Sequence, residues 1–488
     1  MTITSRALAL TLAAGSFATG FAQTATPAHP AEPWKSIPVP PLHEFKPAQP
    51  IKFELPNGIV VFLEEDHELP FIDGFIRVRG GSRDEPADKA GLVSLYGQVW
   101  RTSGTAATPG DTLDDQLAAK AAHVETSGGQ ASTNLSWSSF AKDFDSVFGV
   151  AMDLLQHPDF QQQKLDLAKQ STASGILRRN DDASGIAERE AVEIAYGKTN
   201  PYGRESELAT ISAVTLDDLR AWHEKTLAGS NLIVGVIGDF DAKEMEAKLR
   251  KAFAPLPRGT QLKSAKVDFS EPAAGVYFAN KADVDQSNVY IVGLGTQQDN
   301  PDYYALSVMN EIFSGGFGSR VVQNVRTKLG LAYSVSGAFS ASYDHPGIFY
   351  VIAATKSAST VAATQAMLAE INRLKTDPPT SAELSKAKDQ LLNSFIFHYD
   401  SPDKTLNEEV TLAFYGYPLD FLEKYKAGIE KVTAADVTRV ANKYIDVAKL
   451  AIIAVGNQAE IKPPLSTLGR VTTLDVTIPP PPHGKPVD

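Results

Sequence analysis

Side chains do chemistry in sets, and the 488 residues of this chain offer few sets at a working spacing. There is no cysteine, which excludes disulfides, thiol catalysis and cysteine-ligated metal together. A metal centre would have to use His, Asp or Glu. The nine histidines are scattered. No two sit at i,i+4, the spacing that puts two imidazoles on one face of a helix. His123, His157, His223 and His398 read as helical or capping residues, on the surface or packed. Glu188, Glu190 and Glu193 read as a solvated helix face. No Gly-x-Ser-x-Gly elbow marks a serine hydrolase. The loop carrying Gly315, Gly316 and Gly318 has no following Lys-Ser/Thr, which makes a phosphate loop a poor reading. It reads as a tight turn or as a substrate-contact loop.

Behind these residues stands an internal repeat. Around Thr215 the chain reads VTLDDLRAWHEKTLAGSNLIVGVIGDFD, and around Thr433 it reads VTAADVTRVANKYIDVAKLAIIAVGNQA. Both open on a capping-box start, Thr215 with Asp218 and Thr433 with Asp436. Each continues as an amphipathic helix and closes on an apolar strand ending in Gly238 or Gly456. The two copies align without a gap, which predicts a body of two homologous α+β halves. In the first half a hairpin is expected around Asn57-Gly58, with helices near 90–100, 112–122, 144–155 and 161–179. In the second, strands near 288–295 and 349–354 alternate with helices near 301–313, 321–328, 359–374 and 381–397.

The ends read differently. Arg6 is the only charge ahead of an apolar run from Ala7 to Phe17, and Gly20-Phe21-Ala22 is a small-x-small cleavage site. This predicts a signal peptide over 1–22, cut after Ala22, and hence an exported protein, periplasmic if the source is Gram-negative. The run is shorter than the ~20 residues of a membrane span, and no later stretch is long and apolar enough. Residues 23–50 read as a Pro-rich linker, 51–256 and 273–461 as the two halves, 257–272 as a hinge and 462–488 as a Pro-rich tail. A formal charge of −12 argues against a nucleic-acid partner, which needs a basic face.

Several motifs follow one another in a family order. Gly81-Ser82-Arg83-Asp84-Glu85 precedes Gly91-Leu92, and Arg101 to Thr105 reads Arg-Thr-Ser-Gly-Thr. Asn200-Pro201-Tyr202-Gly203 comes next, then the Thr215 segment. In the second half come Ser314-Gly315-Gly316-Phe317-Gly318-Ser319-Arg320 and the run Val325 to Ser334, VRTKLGLAYS. This series resembles the pitrilysin/insulinase metallopeptidases, the processing-peptidase-like inverted zincins. The resemblance implies two homologous α+β domains forming half of a clamshell, which such proteins close with a second half.

It also implies where a zinc helix would lie. The family's HxxEH motif falls on Ser94, Gly97 and Gln98, two weak neutral ligands and a residue with no side chain to act as base. The family's third ligand, a Glu near 173–175, is absent. The resemblance therefore implies a zinc-less subunit, with no metal in this chain and zinc in a homologous partner. The two would form a heterodimer or higher assembly acting on a peptide. Arg326 and Tyr333 match the family's substrate-binding pair, contributed in trans; a guanidinium and a phenol can donate to a developing oxyanion. The alternatives are a structural or peptide-binding protein on the same scaffold and, last, an independent metallopeptidase with atypical ligands.

Overall fold

A computed structural model describes residues 47–480, residue 48 excepted. The signal segment with its expected cut after Ala22, nearly all of the linker and residues 481–488 lie outside the described residues.

In the first half β1 (Ile51–Glu54) turns through Asn57-Gly58 into β2 (Val60–Glu65), with Gly58 at φ 86°. β3 (Phe71–Arg79), α1 (Leu92–Ser103), α2 (Gly110–Ala118), β4 (His123–Gly128) and β5 (Ser132–Phe140) follow. Next come α3 (Phe144–Gln156), α4 (Gln162–Arg178), α5 (Ala183–Tyr196), α6 (Leu208–Ala213) and α7 (Leu216–Thr226). The half ends on β6 (Leu232–Gly238) and α8 (Ala242–Phe253).

The second half begins with β7 (Gly275–Asn280), β8 (Gln286–Leu294), the short β9 (Thr296–Gln297) and α9 (Tyr303–Ser314). A π-helical turn over Val322–Lys328 leads to β10 (Ser334–Ser342) and β11 (Pro346–Lys356). Then come α10 (Thr360–Thr376), α11 (Ser381–Phe395), α12 (Pro402–Tyr415), α13 (Phe421–Lys431) and α14 (Ala434–Tyr444). The strands β12 (Ala451–Gly456) and β13 (Val471–Thr473) close the order.

The two halves share one topology. The first sheet runs β1-β2-β6-β3-β5-β4 and the second β13-β7-β12-β8-β11-β10-β9. In both, the repeat supplies the strand that binds a parallel neighbour on one side and an antiparallel one on the other: β6 between β2 and β3, β12 between β7 and β8. The capping boxes that precede them are formed. Asp218 N donates to Thr215 Oγ1 (3.3 Å) and Asp436 N to Thr433 Oγ1 (3.2 Å).

Every residue of β6 and of β12 is buried. A strand apolar on both sides needs a cover on each face of its sheet. One face of each sheet is covered by helices of its own half. The other cover comes from the opposite half. On the first sheet, Leu406, Val410 and Phe414, one turn apart along α12, pack on Phe62, Ile233 and Ile237. On the second, α5 lays Ala183, Ile186 and Ala187 against Ala279 and Val455, and Ala191 against Val292, Ala451 and Ile453. The halves are thus tied by an exchange of helices.

The chain end corrects the sequence reading. The stretch from 462, expected as a Pro-rich tail, adds β13 to the second sheet, in the edge place that β1 holds in the first. Beyond it Leu474 and Val476 pack beside α5, Asn180 Nδ2 donates to Val476 O (2.6 Å), and Ile478 reaches the first core. The alternating apolar residues ahead of the proline run carry this strap. The hinge expected over 257–272 has no regular structure but is fastened as well. Leu262 N donates to Asn231 Oδ1 (2.5 Å), and Phe269 packs among Tyr196, Tyr202 and His345.

Leu406→Ala removes the first apolar anchor of α12 from a fully buried site, a change expected to cost about 2–5 kcal/mol. Because α12 belongs to one half and its seat to the other, calorimetry should show a single transition shifted down as a whole. Two separated transitions, only one of them shifted, would rule out that coupling.

Candidate functional site

The helix that would carry zinc in the resembling peptidases is α1, and the motif residues before it hold its N-terminus. The Glu85 carboxylate accepts from Gly91 N (2.8 Å) and Val93 N (2.9 Å), two of the helix's orphan donors. Burial pushes the Glu85 carboxyl up, and these two N–H groups pull it back. Arg204, just after the Asn-Pro-Tyr-Gly element, donates to Ser82 O (2.9 Å) and Glu85 O (2.7 Å). Arg83 reaches Tyr202 Oη (3.3 Å) and pairs with Asp344 of the second half. The two sequence motifs therefore form one bracket around the start of α1.

Three sides of α1 are buried. Tyr96 Oη shares a 2.8 Å hydrogen bond with His223 Nδ1, Trp100 Nε1 donates to Leu154 O (2.8 Å), and Arg101 Nε donates to Val124 O (2.6 Å). Ser94 and Gln98 lie on the exposed stripe, where Gln98 Nε2 donates to Ser94 Oγ at 3.4 Å. Gly97 faces the other way, onto β4. A methyl group there would sit 2.2 Å from Gly128 N, and Gly128 in turn presses on Val93 O. The Gly97 carbonyl accepts from Thr126 Oγ1 at 2.6 Å.

These residues do not fit a zinc centre. Ser94 and Gln98 occupy the geometry of a ligand pair with the wrong atoms, and Gly97 is fixed by backbone contact. On α4, Ala173 is buried and Ser174 and Gly175 offer no carboxylate. Among the described residues no group of three His, Asp or Glu side chains converges elsewhere.

Two readings of single residues change. Glu190, expected on a solvated face, is buried with Arg189 Nη2 on its Oε1 (3.1 Å), and burial pushes its carboxyl up. Glu188 is exposed, and Glu193 pairs with Lys198 at 2.6 Å. The α5 stripe that should face water is turned by the helix exchange toward the second sheet. His123, expected in a helical context, opens β4 instead.

In the second half the structure brings the other expected residues together. Gly315 caps α9, its N–H donating to Glu311 O (2.8 Å), and Gly316 takes φ 74°, the one left-handed position among the loop's glycines. Ser319 Oγ and Gln323 Nε2 tie the loop through Gly316 O (2.7 Å) and Phe317 O (2.6 Å). A methyl on Gly318 would meet only the tip of Lys386, which can move. The following turn is widened to i→i+5 bonding, with Leu329 N on Asn324 O (3.0 Å); such π-turns recur at functional sites. It anchors Val322 and Val325 inward and turns Arg326 outward. Arg326 then lies over two rings, 5.0 Å from the centre of Phe317 and 5.9 Å from that of Tyr333. Phe317 is 74% exposed and Tyr333 81%.

The Gly-rich loop and the Arg/Tyr pair are thus one surface feature, while Ser94, Gly97 and Gln98 lie in the other half. Phe317 was not singled out from sequence. A Phe among glycines carries no periodic signal, and only the exposure of its ring against a guanidinium marks it.

Fold and site together define a peptidase scaffold whose metal-binding helix has lost its ligands and its base. Comparisons with known proteins agree. A family model described as the peptidase M16 inactive domain matches residues 213–391. The non-peptidase homologue YmxG of Helicobacter pylori is 25% identical over 416 residues, spanning 83% of this chain and 93% of its own. A probable mitochondrial-processing peptidase subunit beta of Arabidopsis thaliana is 24% identical over 425 residues, spanning 82% and 77%. The crystal structure of a peptidase M16 inactive domain from Pseudomonas fluorescens superposes with a TM-score of 0.76 at 25% identity, covering 85% of this chain and 100% of that one. Residues 213–391 thus match a peptidase M16 inactive domain, and over most of its length the chain is similar to inactive M16 homologues.

Two predictions follow from α1. Gly97→Ala should lower stability by about 1–3 kcal/mol through overpacking against β4, whereas Ser94→His with Gln98→His should change it by less than about 0.5 kcal/mol. Neither set, nor a triple change adding Glu at 97, should yield chelator-sensitive peptidase activity. Chemical denaturation and a peptide-cleavage assay decide this. Burial also pushes the His223 imidazole down to about 4, so the folded state holds it neutral while the unfolded chain protonates it near 6.5. The resulting stability is complete above pH 6.5 and is lost as pH falls toward 4, at up to about 1.4 kcal/mol per pH unit from this group. His223→Gln keeps a partner for Tyr96 and should flatten that part of the profile. Urea midpoints that fall equally steeply between pH 6.5 and 4 in both proteins would refute it.

Proposed function

We propose that this chain is the zinc-less subunit of an exported M16-type metallopeptidase and completes the active chamber of a zinc-bearing homologue. The observation that carries this reading is the Arg326–Tyr333 pair. The guanidinium and the phenol stand side by side at the surface with Phe317, while the chain's own α1 offers no metal ligand for them to serve. Donors so placed suit a peptide carbonyl polarised by a metal on another subunit. The zinc belongs to the partner, and the peptide lies between the two. Among the described residues no helix is long and apolar enough to cross a membrane.

The test is reconstitution with an exported homologue that keeps HxxEH, beginning with one encoded beside this chain. Tyr333→Phe removes one hydroxyl from an exposed ring. It should leave melting and pairing unchanged and lower kcat of the complex about 10²–10³-fold, the usual value of an oxyanion donor. Arg326→Ala should act likewise. Wild-type kcat in both variants, with pairing verified, would assign the pair to structure. The chain would then be a binding or structural protein on a peptidase scaffold.

A further inference from the structure

The face of the first sheet that receives α12 is apolar only where the helix lies. Past its edge, β3 and β5 carry a polar strip on the same face, with Arg77 paired in register with Asn134 and Arg79 with Ser132. Arg77 Nη1 donates to Thr411 Oγ1 of α12 (2.9 Å), and both guanidinium groups lie over Phe414, at 5.7 Å and 4.5 Å from its ring centre. Among the described residues, that bond to Thr411 is the only side-chain hydrogen bond Arg77 makes, and neither arginine has a carboxylate at ion-pairing distance. A guanidinium has five N–H donors, so most of those on Arg77 remain to be used.

Arg77 opens into a cleft of about 530 Å³ between the two halves. Asn134, Ser132, Thr411, Tyr343 and Tyr415 line it with Arg77. These two tyrosines are stacked, 4.6 Å apart and within 4° of parallel. The one acid in the lining, Asp344, is already engaged by Arg83 and by His345 Nδ1 (2.8 Å). Glu408 lies close by, beyond ion-pairing distance of Arg77; burial pushes its carboxyl up, while His398, Tyr343 and the Arg77 charge pull it back. Burial also pushes the Arg77 guanidinium below its ordinary range. In a chain of net charge −12 this is a hollow with one guanidinium and a ring-lined wall, of a size that holds a small organic ligand.

We propose that the cleft between the halves is a binding site for a carboxylate-bearing ligand, with Arg77 taking the carboxylate as a two-pronged fork and Asn134 adding a neutral donor. One guanidinium with neutral donors matches a single negative charge, whereas a phosphate dianion calls for more positive charge. The stacked tyrosines and Phe414 receive the carbon skeleton. Two sources share this chemistry: the C-terminus of a peptide and a small free carboxylic acid. The site stands whether or not the chain pairs with a zinc-bearing homologue.

The experiment is calorimetric titration of the mature protein at low ionic strength with four probes: N-acetyl-trialanine as the free acid, its C-terminal amide, succinate and inorganic phosphate. The free acid binding where the amide does not identifies a peptide C-terminus; succinate binding instead, or as well, identifies a free carboxylic acid. Asn134→Asp places a carboxylate in register with Arg77 and supplies a competing carboxylate from within. It should weaken binding at least 10-fold while leaving the melting temperature unchanged or higher. Arg77→Met should weaken binding equally and loosen α12, so the aspartate variant carries the decision. The proposal is overturned if phosphate alone binds, if the amide binds as well as the acid, if no probe binds, or if Asn134→Asp binds like the wild type.

Discussion

β6 and β12 are apolar at every position, so each sheet must be covered on both faces, and neither half has enough helices in the right place to do it alone. The exchange of α12 and α5 meets this demand. It also places much of what matters for function. The carboxyl end of α12 closes one wall of the cleft beside Arg77, and α5 carries its buried Glu190 toward the second sheet. Arg83–Asp344 and the Tyr202–His345 stack, with ring centres 3.9 Å apart, reinforce the same boundary. The orientation of one half on the other follows from hydrophobic burial, with polar contacts fixing its register.

Within that frame α1 is fastened at its start and along its buried sides while lacking the ligands and base of a zinc helix. The Glu85 cap, the Arg204 clasp and the Tyr96–His223 bond fix its position. Gly97 and Gly128 let it lie directly on β4. The loss of chemistry and the close packing are one fact at this point, because the residue that cannot serve as a base is the residue that the backbone contact requires. The second half shows the reverse. Arg326, Tyr333 and Phe317 contribute little to the core, yet a π-turn and a positive-φ glycine are spent on presenting them.

Much of this was legible in the residues. The two repeats announce the central strands because helix cap, amphipathic helix and apolar strand recur at one spacing. Long periodic helices such as α4 and α11 fall within a few residues of where periodicity puts them. β5 was not legible: Ser132, Asn134, Ser136 and Ser138 alternate with a buried set that includes Thr133 and Ser139, so its hydrophobic contrast is faint. The fate of Glu190 and the seat of α12 were out of reach for a different reason. A helix's pattern says which stripe is apolar, not which sheet will receive it. At the site, the family motifs located α1 and the Arg/Tyr pair, but the contact that fixes Gly97 and the exposure of Phe317 exist only in three dimensions.

The place of β13 bears on how the chain folds. The edge of the second sheet is filled by residues 471–473, and the outer face of the first by residues 402–415. A chain made from its N-terminus therefore cannot finish its first half until most of the second has been synthesised. Closing such long loops is entropically costly and slows folding relative to local contacts. In the interval Phe62, Ile233 and Ile237 stand open to water. The nascent protein spends that interval dependent on being kept from its neighbours, a demand set by connectivity rather than by the strength of any contact.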